Sequence, residues 1–102
     1  MLNRYILEGI SSDLSGGADI AVFISPYNTV ANTLHQISRY TDEAHTKVRM
    51  TERTIQYDSG RVTVYTDALQ ARGKEFDVAI VPHGSAIEFP FFLDPRLEII
   101  EY

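Results

Sequence analysis

The stretch Asp19-Ile20-Ala21-Val22-Phe23-Ile24-Ser25 decides the fold. It is a continuous apolar run, β-branched and too short for a buried helix. It reads as a central strand covered on both faces. Phe76-Asp77-Val78-Ala79-Ile80-Val81 has the same character and is stopped by Pro82. Between the two, Ser25-Pro26 marks a helix start, with Ser25 as cap and Pro26 in the first turn. Tyr27, Val30, Ala31, Leu34 and Ile37 follow at helical spacing and predict a helix over 27–44. Two buried strands joined through a helix predict a parallel pair.

Working outward, Thr54-Ile55-Gln56-Tyr57 and Val62-Thr63-Val64-Tyr65 flank Asp58-Ser59-Gly60-Arg61. With Ser59-Gly60 as a two-residue turn, Tyr57 faces Val62 and Ile55 faces Val64, which predicts a hairpin over about 54–65. Val48 and Met50 lie on the opposite parity from Ile55 and Tyr57, so a bulge or break is expected near Glu52-Arg53. Asp67 to Gly73 reads as a short helix with Asp67 and Gln70 as a capping pair and Gly73 at its end. Arg4 to Ile10 alternates loosely and reads as a short strand, and Ser11 to Ala18 as a loop. Leu97 to Tyr102 reads as a final edge strand. The expectation is one α/β domain over residues 1–102, with a mixed sheet of about five or six strands and one main helix.

Composition narrows the function. The chain has 102 residues, 44% of them hydrophobic, no cysteine and a formal net charge of -5. That size suits one domain with its own core. Disulfides and thiolate metal sites are excluded, and a reducing compartment is the natural setting. No apolar run approaches a membrane span, and Met1-Leu2-Asn3-Arg4 does not lead into a signal-peptide core. A cytoplasmic protein is expected. The acidic balance argues against general nucleic-acid binding and suits solubility or a basic protein surface.

The order of elements resembles the middle of the ATPase core of phage DNA-packaging terminases, and more loosely related helicases. The residues that carry the resemblance are Phe23-Ile24-Ser25-Pro26, the helix, the hairpin with its polar-Gly turn, Ala71-Arg72-Gly73 and Phe76 to Val81. Together they span 19–81. In that family the strand and helix follow the nucleotide-binding loop. The hairpin turn is Asn-Gly-Ser-like, and an Arg-Gly precedes the strand that ends in the Asp-Glu pair used for magnesium and water. The resemblance implies a phage or viral protein, in the host cytoplasm. This chain departs from the pattern. It holds no Gly-x-x-x-x-Gly-Lys-Ser/Thr, Pro82-His83 stands where the acid pair would be, and Asp58-Ser59-Gly60 replaces Asn-Gly-Ser. The phosphate grip and the magnesium carboxylates that phosphoryl transfer uses are missing from these residues, and no cofactor is expected.

Other chemistry is sparse. His35, His45 and His83 have no metal-ligand spacing. Pro82-His83-Gly84-Ser85 follows a buried strand, where open α/β sheets place ligands, so His83 and Ser85 are the catalytic or small-molecule candidates. The same four residues also read as a plain turn, and no Gly-x-Ser-x-Gly elbow strengthens the hydrolase reading. Asp13, Asp19, Asp77 and Glu88 are scattered acids, with Asp77 expected to pair with Arg72 or Lys74. Phe89, Phe91, Phe92 and Leu93 form an aromatic loop that either closes over the core or offers a partner surface. With Arg72 and the terminal edge strand they are the partner-binding candidates. Three functions follow. The first is a non-catalytic protein-interaction or self-associating domain. The second is a small enzyme or ligand-binding domain around His83 and Ser85. The third is an accessory subunit docking on a nucleic-acid motor.

Overall fold

The computed structural model describes residues 2–24, 29–41, 45–49 (backbone), 51–57, 59–66, 76–83 and 98–102. Among these residues eight elements follow in chain order: α1 (Arg4–Ser15), β1 (Asp19–Phe23), α2 (Val30–Tyr40), β2 (His45–Arg49), β3 (Thr54–Tyr57), β4 (Arg61–Tyr65), β5 (Val78–Val81) and β6 (Glu98–Glu101). The strands form one six-stranded sheet in the order β2-β3-β4-β1-β5-β6. β1 runs parallel to both β4 and β5, and β5 runs parallel to β6. β3 is antiparallel to β4 and to β2, so the sheet is mixed. The α/β domain expected from the sequence is the one observed.

The central strand is central because both of its faces are buried. Ile20, Val22 and Ile24 join Ile55, Tyr57, Val62, Val64, Val78 and Ile80 in one cluster with Ile6, Ile10 and Leu14 of α1 and Leu34 and Ile37 of α2. Ala21 and Phe23 join Ala79 and Val81 on the other face, where Tyr65 and Phe76 pack against them. The Phe23 and Tyr65 rings stack with centroids 5.3 Å apart. A run apolar on both parities is what such a position demands.

The N-terminal segment is a helix, not the strand expected at Arg4–Ile10. Asn3 caps it, its Oδ1 accepting the Ile6 N–H at 3.0 Å. Ile6, Leu7, Ile10 and Leu14 recur at helical spacing and are all buried. That period runs through Gly9 and the Ser11-Ser12 pair, whose composition mimics a loop. Packing of the apolar face overrides their weak propensity. The helix closes at Gly16 and at Gly17, whose φ is 86°, with Ala18 N–H donating to Asp13 O.

The second helix is shorter than the expected 27–44. Thr29 is extended and caps it, its hydroxyl accepting the Asn32 N–H at 3.1 Å. Ser25 and Pro26, expected to start it, lie outside the described residues. At the other end the Thr41 backbone N–H and Oγ1 both donate to Ile37 O, at 3.0 and 2.7 Å. Since the Thr41 proton is committed there, the Tyr57 hydroxyl donates to Thr41 Oγ1. The helix end is thereby tied to the sheet.

The hairpin exists with its faces as expected and its register moved. Ile55 pairs with Val62 and Gln56 with Arg61, and Tyr57 N–H donates to Gly60 O at 2.8 Å. The ribbon closes one residue before the expected Ser59-Gly60 turn. The shift preserves parity, so Ile55, Tyr57, Val62 and Val64 stay buried together. The reason is Gly60. A Cβ there would lie 2.3 Å from Ala18 O, and Arg61 N–H donates to the same oxygen at 3.2 Å. The glycine serves a close backbone approach to the loop after α1. Near Glu52-Arg53 the chain does not bulge but reverses, with Arg53 at φ 57°, and β2 pairs back on β3. The irregularity sits instead between His45 and Lys47.

Burial raises the pKa of Tyr57. Burial also raises that of Tyr65, with Asp19 raising and Arg61 lowering it. Both hydroxyls keep their protons in the folded state beyond the ordinary value of about 10. Stability from this source is complete below about pH 10 and is lost as pH rises further, because only the unfolded chain ionises there. Melting temperature measured from pH 8 to 11 should fall above about pH 10, and Tyr57→Phe should soften the fall.

Candidate functional site

The parallel strands β4, β1, β5 and β6 end on one side of the sheet, and their ends carry the sequence candidate His83. The backbone there is tightly joined. Ile24 N–H donates to Tyr65 O at 3.0 Å, Tyr102 N–H to Val81 O at 2.9 Å and His83 N–H to Tyr102 O at 2.7 Å. The Tyr102 hydroxyl reaches across β5 and donates to Phe23 O at 2.6 Å. Tyr102 therefore buttresses three strand ends at once.

The His83 side chain is 87% exposed, with Nδ1 3.3 Å from Glu101 Oε2. When protonated it forms a surface ion pair, a contact worth about 0–1 kcal/mol. Ser85 lies outside the described residues, as do Arg72, Phe89, Phe91, Phe92, Leu93 and the helix expected at 67–73. Among the described residues no three metal-ligating side chains come together. His35 is exposed on α2, far in sequence from His83.

The acids Asp19 and Asp77 meet at the opposite, N-terminal ends of the strands. Asp77 Oδ2 accepts the Asp19 N–H at 2.9 Å, and Asp77 N–H donates to Asp19 O at 2.8 Å. Arg61 Nε and Nη2 both donate to Asp19 Oδ2, at 3.0 and 2.8 Å. That hydrogen bond, and then the Asp19 charge, raise the Arg61 pKa further. Asp77 thus aligns β5 with β1. The partners expected for it, Arg72 and Lys74, are outside the described residues. These acids hold the register of β1 against β4 and β5.

Sequence reading missed one surface feature. A shallow, open groove of about 490 Å³ runs between the helices, lined by Leu7, Asn32, His35, Gln36, Arg39 and Tyr40. It depends on α1 being a helix, so a strand reading could not reveal it. At the chain start Gln36 Nε2 donates to Leu2 O and its Oε1 accepts the Leu2 N–H, fixing the two helices together. No helix among the described residues is long and apolar enough to cross a membrane. Comparison with protein-family models, curated proteins and solved structures finds no match for this chain.

Proposed function

We propose that this domain is a non-catalytic protein-interaction module of phage or viral origin, acting in the host cytoplasm and built on the sheet of a terminase-type ATPase core. One observation carries the reading. β1 lies between β4 and β5 and parallel to both, and α2 packs on the face that also carries α1. A terminase-type core requires that β1–β5 neighbourhood and that helix placement. The strand that would deliver the acid pair, β5, is followed instead by Pro82 and His83, and His83 is committed to Tyr102 and Glu101. The scaffold is retained while the chemistry at its working end is replaced. An accessory subunit that docks on a nucleic-acid motor is one form of the same reading.

The test is nucleotide binding. Titration with magnesium ATP, followed by calorimetry and by phosphate release, should give no saturable binding up to about 1 mM and no turnover. Saturable binding below about 100 μM, or hydrolysis that His83→Ala abolishes, would replace this reading with the enzyme reading centred on His83 and Ser85.

A further inference from the structure

We infer that copies of this chain associate head to tail, β6 of one pairing in parallel with β2 of the next. The inference deepens the interaction reading above by naming the occupant of its edges. Among the described residues, β2 and β6 are the two outer strands of the sheet. They differ in charge. β6 reads Glu98-Ile99-Ile100-Glu101, whereas β2 reads His45-Thr46-Lys47-Val48-Arg49. Glu98, Ile99 and Glu101 are exposed, Ile99 at 38%. An outer strand offers unpaired backbone donors and acceptors to any strand that matches it.

Symmetric pairings put like charges together. β6 on β6 brings the two glutamates of each copy, Glu98 and Glu101, onto adjoining strands, and β2 on β2 can set Lys47 opposite Lys47. Like charges directly opposite are destabilising. The mixed pairing has the reverse property. β2 and β6 run in the same direction, since β2 and β4 are both antiparallel to β3 while β4, β1, β5 and β6 are mutually parallel. A second copy can therefore continue the sheet.

One register satisfies both faces. Ile100 is level with Ile80, and the Val48 backbone position with Ile55; Ile80 and Ile55 belong to the cluster under the helices. Glu101 is level with Val81, which belongs to the cluster on the other face, and the Arg49 backbone position is level with Thr54. Setting Ile100 beside Val48 sets Glu101 beside Arg49. An apolar pair and an opposite-charge pair fall into place together. Such an interface is not self-terminating. It yields rings or filaments rather than a closed dimer.

Light scattering over a concentration series should show mass rising beyond a dimer, and the rise should weaken in about 0.5 M salt through screening. Arg49→Glu and Glu101→Lys should each return the protein to a monomer, and the double reversal should restore assembly. Circular dichroism confirms that each variant is folded. Because the chain has no cysteine, a second measurement stands apart from charge. A mixture of the Arg49→Cys and Glu101→Cys variants should cross-link on oxidation to dimers of one chain of each kind, faster than either variant alone. A wild-type protein that is monomeric throughout overturns the inference, and the charges then serve to keep the edges apart. Assembly indifferent to both reversals, or not restored by the double reversal, also overturns it. None of these outcomes depends on the nucleotide titration, so the two proposals fail separately.

Discussion

Gly60→Ala is expected to be among the most damaging single-methyl additions in the domain. The new Cβ would sit 2.3 Å from Ala18 O and 3.3 Å from both Ala18 C and Ala18 N. Those are backbone atoms, held by the Arg61 N–H bond to the same oxygen and by the loop closing α1. No side chain can swing aside to relieve the contact. Overpacking costs about 1–3 kcal/mol and occasionally more, and a backbone clash belongs at the upper end. A loss of about 3 kcal/mol corresponds to roughly 12–24 °C in melting temperature for a domain of this size. Gly9→Ala is the internal control. It lies within α1, and a Cβ there meets nothing within 4 Å. It should be neutral or stabilising by up to about 1 kcal/mol. Paired thermal melts decide the matter, and a harmless Gly60→Ala would refute the close approach of the hairpin to the α1–β1 loop.

Ile10→Ala should cost about as much for a different reason. Ile10 is 1% exposed and lies in the cluster joining α1 to the sheet. Truncating a buried isoleucine to alanine removes transfer free energy and leaves a cavity, together about 2–5 kcal/mol. Total stability for such domains is about 5–15 kcal/mol, so this is a large share. Tyr5, five residues earlier on the same helix, is 83% exposed. Tyr5→Ala should change stability by no more than about 0.5 kcal/mol. Urea unfolding of the two variants separates a packed helix from a dispensable one, and equal, small effects would mean that α1 is not part of the core.

Those two positions also show where sequence reading works and where it stops. The runs at Ile20–Ile24 and Val78–Val81 are legible because a strand buried on both faces has to be apolar at every residue. β6 is legible as an edge because its glutamates exclude it from the interior. Ile55, Tyr57, Val62 and Val64 are legible as one face because parity survives a shift of the turn. The register itself is not, because it is set by Gly60 meeting Ala18, a contact between segments that local pattern does not connect. α1 is illegible for a related reason. Its apolar face is sound, but Gly9, Ser11 and Ser12 depress local propensity, and only the sheet beneath it supplies the missing stabilisation. At the candidate site, the place of His83 beyond β5 was legible, while its contact with Glu101 required knowing that β6 lies beside β5.

The place of β1 also governs how the chain reaches this state. β2, β3 and β4 form a meander of neighbours in sequence and can zip together quickly. β1 has no neighbour of that kind. The Arg61 and Asp77 bonds to Asp19 span 42 and 58 residues. Loop closure has to be paid for before such pairings return anything, which slows folding. Until β4 and β5 arrive on either side, Ile20 to Ile24 is an apolar, strand-forming segment in water, the kind that aggregates when chains are crowded. The residues that make the finished sheet most secure are thus the ones most hazardous during synthesis, and the yield of folded protein should fall as chain encounter outpaces folding unless they are shielded.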